Sequence, residues 1–91
     1  MTVIARRAVV TGRVQGVGFR FFAERAAREA GVRGWVRNVP DGSVETFVEG
    51  TEEAVRRYLE LLREGPRLGR VLGVREEEAT AAGHTTFEIA P

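Results

Sequence analysis

Two spacings of apolar residues alternate along the chain, one of every second residue and one of three to four, and they divide it into strands and helices. Val3 to Thr11 is rich in Val, Ile and Ala with interspersed Arg, which predicts a first strand. From Phe19 to Ala30 the spacing changes: Phe19, Phe22, Ala23, Ala26, Ala27 and Ala30 fall on one helical face, with Glu24, Arg25, Arg28 and Glu29 opposite, and Gly31 is placed to stop the helix. Val32–Val39 and Ser43–Glu49 read as two further strands. Pro40-Asp41-Gly42 between them is turn chemistry, so they should pair as an antiparallel hairpin. Gly50-Thr51 opens a second helix, with Glu52 and Glu53 complementing its dipole, a buried stripe of Val55, Tyr58, Leu59 and Leu62, and Gly65-Pro66 as its end. Arg70 to Ala79 carries Val71, Leu72 and Val74 before fading into Glu76-Glu77-Glu78, the pattern of a solvated edge strand. Thr85–Ile89 is a short final strand whose partner the pattern does not fix. The order β-α-β-β-α-β with a short C-terminal strand predicts an α+β fold of the split β-α-β, ferredoxin-like kind. In that sandwich both helices cover one face of a mainly antiparallel sheet.

Composition narrows the chemistry. A chain of 91 residues supports one core, so residues 1–91 are expected to form a single domain with a shallow surface cleft for any site. With 14 basic and 13 acidic residues the formal charge is +1, too little for a protein that grips nucleic acid through a large positive field. Every basic residue is Arg, which genome composition and thermal adaptation would both produce. The absence of Cys removes disulfides, thiolate nucleophiles and Cys-based metal sites. No stretch has the length of a signal-peptide core or a membrane span, so a cytoplasmic protein is expected, with no membrane partner and a monomer as its simplest state.

One stretch concentrates the remaining chemistry. Gly12-Arg13-Val14-Gln15-Gly16-Val17-Gly18-Phe19-Arg20 joins the first strand to the first helix. Gly16 and Gly18 lack the Cβ atoms that would keep a tight curve open, so successive N–H groups there can converge on an anion at a helix N-terminus. Arg20 stands at the lip with a planar guanidinium able to grip two oxygens of one phosphate. The same two glycines equally serve a plain sharp turn. Neither G-x-G-x-x-G nor the Walker pattern fits, and the latter needs a Lys that the chain lacks. Asn38, late on the second strand, offers a neutral donor and acceptor that would hold a water near an anion, or would merely satisfy local backbone groups.

The other polar residues point elsewhere. His84 reads as an exposed structural residue in a turn, and one His with scattered glutamates supplies no metal site. Trp35, Phe47 and Phe87 each sit singly in an alternating strand and are expected in the core rather than on a base-stacking face. Arg6, Arg7 and Arg13 are either solvated or add to the field near the loop. No general acid or nucleophile stands out. That suits a substrate whose leaving group is already good, such as an acyl phosphate, which departs as a carboxylate of pKa ~4.

Val14-Gln15-Gly16-Val17-Gly18-Phe19-Arg20, then Gly34-Trp35-Val36-Arg37-Asn38 followed by Asp41-Gly42-Ser43-Val44-Glu45, together closely resemble the acylphosphatase family. The resemblance covers essentially the whole chain in length and element order. It implies the ferredoxin-like fold and cofactor-free, metal-free hydrolysis of a small-molecule acyl phosphate to a carboxylate and inorganic phosphate. It also implies roles: Arg20 as the phosphate-binding arginine, the backbone N–H groups of Gln15, Gly16, Val17, Gly18, Phe19 and Arg20 as the anion loop, and Asn38 as the residue that orients the attacking water. The ending Phe87-Glu88-Ile89-Ala90-Pro91 departs from relatives that close with an aromatic or basic residue, which bears on stability or the rim of the site. Two other classes remain open from the residues: a module that binds phosphate without turnover, and an RNA-binding sheet face.

Overall fold

The computed structural model describes residues 2–91. Seven elements follow in order: β1 Ile4–Arg13, α1 Phe19–Ala30, β2 Arg33–Asn38, β3 Val44–Gly50, α2 Glu52–Glu64, β4 Arg70–Ala79 and β5 Phe87–Ile89. They form one five-stranded sheet in the order β4-β1-β3-β2-β5, antiparallel throughout except for the parallel pairing of β5 with β2. This is the ferredoxin-like arrangement with one added strand.

Alternation along the strands assigns the faces. Val10 of β1, Val36 of β2 and Val44 and Val48 of β3 are fully buried, sharing a core with Phe19, Ala23 and Ala27 of α1 and Val55, Tyr58 and Leu62 of α2. Those strand positions have even numbers. The odd positions Arg7, Glu45, Phe47, Trp35 and Arg37 therefore point to the helix-free face. Trp35 and Phe47 are cross-strand partners, stacked with centroids 6.3 Å apart, and the His84 ring lies 5.4 Å from Phe47. This corrects two expectations: Trp35 is half-buried on the helix-free face rather than in the helix-covered core, and His84 is half-buried against an aromatic ring rather than exposed. Of the three aromatics only Phe87 joins the helix side, 5.7 Å from the Tyr58 ring.

Local chemistry sets the element ends. Gly31 adopts φ 85° and donates its N–H to the Ala27 carbonyl at 2.8 Å, closing α1. Thr51 caps α2 by accepting the Ala54 N–H on its hydroxyl at 3.1 Å. In the β2–β3 turn Asp41 Oδ1 accepts the Ser43 N–H at 2.9 Å and the Ser43 hydroxyl at 2.6 Å, and these bonds hold its carboxyl below the ordinary carboxylate range. Gly34 has a steric reason: a Cβ there would lie 1.9 Å from the Phe47 carbonyl oxygen.

The position of β5 follows from one carboxylate. Glu49, 1% exposed, accepts the N–H groups of Ala82 (3.2 Å), Gly83 (3.0 Å) and His84 (3.1 Å). Burial pushes its carboxyl up, but the three donors outweigh burial and hold it below its ordinary value. The loop so pinned leads into β5, which continues through Arg33 Nε to the His84 carbonyl (2.8 Å), the Gly34 N–H to the Thr86 carbonyl (2.9 Å) and the Ala90 N–H to the Val36 carbonyl (2.8 Å). β5 starts at Phe87 rather than Thr85, and the tail lies along β2, with Ala90 and Pro91 lining a groove on the helix-free face beside Trp35 and Arg37.

Candidate active site

β1 extends to Arg13, so Gly12 and Arg13 belong to the strand and the loop proper is shorter than the sequence suggests, running from Val14 to Gly18. Gly16 and Gly18 take φ 75° and 77°, whereas no non-glycine residue among those described has a positive φ. The sign of φ therefore alternates from Gln15 to Phe19. Such alternation turns successive peptide N–H groups toward a common centre and makes a concavity suited to an anion. The backbone N–H groups of Gln15, Gly16, Val17, Gly18, Phe19 and Arg20 donate to no protein acceptor among the described residues, and the first α1 bond is Phe22 N–H to the Gly18 carbonyl, 3.0 Å. Six backbone donors around this turn are thus unpartnered by protein among the described residues.

The two helix starts differ in a way that isolates this one. α2 begins with a Thr cap and two acidic residues in its first turn. α1 begins at Gly18 with no side-chain cap and no acidic residue in its first turn. No capping side chain or first-turn carboxylate among the described residues opposes its positive dipole end. Arg20, half-buried in that first turn, makes no ion pair or hydrogen bond among the described residues.

Asn38 is the last residue of β2. It pairs with Val44, which pairs in turn with Val10, so it shares a cross-sheet row with β1 close to where that strand enters the loop. Its even position puts it on the helix-covered face with Val36, the face on which α1 starts. Its carboxamide has no hydrogen bond to protein among the described residues.

Gln15 contributes something the sequence did not disclose. Its Nε2 donates to the carbonyls of Val39 (2.7 Å) and Ser43 (2.8 Å), using both protons of the amide to tie the loop to the β2–β3 turn. Val39 follows Asn38 directly, so the strut fixes the loop relative to the asparagine. The two segments lie 24 and 28 residues apart in sequence, and no local pattern signals the bond.

The remaining candidates lie elsewhere. Arg7 and Arg37 both pair with Glu45 on the helix-free face, at 3.4 and 2.6 Å, and Arg6 donates to the Ala5 carbonyl. Glu76, Glu77 and Glu78 are exposed on β4, with Glu76 bonded to Arg63 at 2.6 Å. Among the described residues no three metal-ligating side chains converge, and no helix is long and apolar enough to cross a membrane.

The family model described as acylphosphatase matches residues 6–89 of this chain. An acylphosphatase from Archaeoglobus fulgidus is 42% identical over 88 residues, covering 97% of this chain and 99% of that protein. One from Thermus thermophilus is 46% identical over 82 residues, covering 90% and 93% respectively. Among solved structures, the crystal structure of acylphosphatase from Bacillus subtilis superposes with a TM-score of 0.93 at 37% identity, covering 97% of this chain and 99% of that one.

Proposed function

We propose, from the premise that this chain belongs to the acylphosphatase family, that it hydrolyses the carboxyl-phosphate anhydride bond of a small-molecule acyl phosphate at the loop between β1 and α1. The observation that carries the site assignment is the set of six unpartnered N–H groups from Gln15 to Arg20 at an uncapped helix start. These donors and the Arg20 guanidinium take the non-bridging oxygens of the phosphoryl group, where negative charge is greatest as the bond breaks. Asn38 accepts from and donates to a water, holding it opposite the bridging oxygen.

The reaction balances without a side-chain nucleophile. The water oxygen bonds to phosphorus while the bond from phosphorus to the bridging oxygen breaks. That electron pair leaves on the carboxylate, and the surplus water proton passes to phosphate or solvent. A carboxylate of pKa ~4 needs no proton to depart, which matches a site holding donors and no general acid. The strut from Gln15 sets the distance between the two halves, the loop that holds phosphorus and the asparagine that holds water.

In this reading residues 1–91 act as a single catalytic domain, a cytoplasmic monomer that works without metal, cofactor or nucleic-acid partner. Purified protein should release phosphate from acetyl phosphate or benzoyl phosphate in the presence of EDTA. Hydrolysis no faster than the uncatalysed background would overturn the assignment, and stoichiometric phosphate binding without turnover would mark the loop as a phosphate-sensing site instead.

A further inference from the structure

Across the sheet, arginines stand opposite glutamates. Arg6 faces Glu78, Arg7 faces Glu77, Arg33 faces Glu49 and Arg37 faces Glu45 on neighbouring strands, while Arg75 faces the apolar Val9. One pair departs from this pattern. Arg13, the last residue of β1, is the direct partner of Arg70, the first residue of β4. No other pairing among the described residues sets like charges opposite one another.

Directly opposed side chains of an antiparallel pair stand ~5 Å apart at Cβ, so like charges there repel and destabilise the sheet. Nothing in the fold offsets that repulsion. Both arginines are exposed, and neither makes an ion pair or a side-chain hydrogen bond among the described residues. The pair also sits at the mouth of the phosphate loop. Arg13 lies next to Val14, where the loop begins, and Gly69, directly before Arg70, packs against both segments. A Cβ at Gly69 would lie 2.9 Å from the Arg13 carbonyl oxygen and 3.1 Å from Val17 Cγ2.

We propose that Arg13 and Arg70 are steering residues, whose uncompensated charges draw the acyl phosphate anion to the loop and speed its capture without taking part in its cleavage. The inference rests on the reading that the loop holds the phosphoryl group. Exposed guanidinium groups fix no ligand in one pose, because water weakens each contact. They act instead through their field, which reaches about 30 Å at 0.01 M salt, about 10 Å at 0.1 M and about 3 Å at 1 M. An acyl phosphate is an anion at neutral pH, so a doubly positive lip raises its concentration beside the loop. The same two charges placed opposite glutamates would cancel and draw in nothing.

The test follows kcat and KM for acetyl phosphate in the full chain as chloride salt is raised. In the double variant Arg13→Gln, Arg70→Gln, kcat/KM at ~0.01 M ionic strength should fall about five- to tenfold while kcat changes less than about twofold, and at ~1 M the variant and the unaltered protein should converge. The control Arg28→Gln, Arg56→Gln removes the same charge at the end of the helices away from the loop, and should keep the salt dependence of the unaltered protein. Because the pair repels, its loss should leave Tm at low salt equal to or above that of the unaltered protein. A lower Tm would make the pair structural and overturn the proposal. An unchanged salt dependence in the loop variant, or an equal loss in the control, would also overturn steering while leaving the phosphate loop standing. Failure of the unaltered protein to hydrolyse acetyl phosphate would remove the reading of the loop, and the steering role with it.

Discussion

Replacing Gln15 by Met keeps the length of the side chain and removes both N–H donors that reach the β2–β3 turn. The cost to stability can be worked from the partners. The Val39 carbonyl also accepts the Gly42 N–H at 3.0 Å, and the Ser43 carbonyl also accepts the Val39 N–H at 2.9 Å. Neither is orphaned by the change, so the loss is that of two ordinary hydrogen bonds, about 2 kcal/mol in all, or a Tm about 10 °C lower. The loop itself should keep its shape, because Val14 and Phe19 are buried and Val17 packs at Gly69. What is lost is the tie between the loop and Asn38. A misplacement of ~1 Å in a positioned reactant costs on the order of 100-fold in rate, and with the hairpin intact we expect kcat to fall about 10- to 100-fold. Inhibition by inorganic phosphate, which reports on the loop alone, should change by less than about threefold. Steady-state kinetics with acetyl phosphate, phosphate inhibition and thermal unfolding on the same preparation decide the matter. An unchanged kcat in the folded variant would refute the strut, and a parallel loss of kcat and phosphate affinity would place the side chain in anion binding instead.

Three further outcomes follow from the same geometry. Arg20→Ala removes the only guanidinium in the first turn of α1 and should lower kcat/KM on the order of 1,000-fold, with phosphate inhibition weakened alongside it; retained phosphate affinity would exclude Arg20 from the anion site. Asn38→Ala should lower kcat about 100-fold or more while phosphate inhibition stays within about threefold, and a variant with full kcat would remove the water-holding role. Glu49→Gln places an amide N–H2 among three backbone donors and should cost about 2–3 kcal/mol in denaturant unfolding. Because the folded carboxyl sits below its ordinary value of 4.5, its stabilisation is complete above that pH and fades as pH falls through the lower folded value. The unaltered protein should therefore lose stability below about pH 4.5 more steeply than the Gln variant, and equal slopes would contradict the buried carboxylate.

What was legible in the chain was legible for local reasons. The helical spacing from Phe19 to Ala30 marks α1 to the residue because a glycine bounds it on each side. Pro40-Asp41-Gly42 announced the hairpin because the Asp41 turn bonds are made within the turn itself. The loop and Arg20 were visible as a motif, and Asn38 through its hairpin. The rest depends on contacts that sequence spacing does not encode. Glu49 reads as an ordinary strand residue until a loop 33 to 35 positions away folds over it. The three-residue β5 carries too little pattern to name its partner, and Gln15 meets carbonyls beyond a whole helix. Trp35 is the exception: its odd position, out of phase with Val36, Val44 and Val48, assigned it to the helix-free face and was a signal the sequence already contained.

The tail strand has a consequence of another kind. A sheet of this order has two borders, and an unpaired border is a template on which a second chain can add strand by strand. β4, the border on one side, presents Glu76, Glu77 and Glu78, whose charge resists a like neighbour. β2 would be the other, and Gly34, Trp35 and Val36 offer no such charge. There β5 lies in register with those three residues. Pinned by Glu49, β5 covers β2 and makes that border a strand of only 3 residues, too short a template for a second chain to extend.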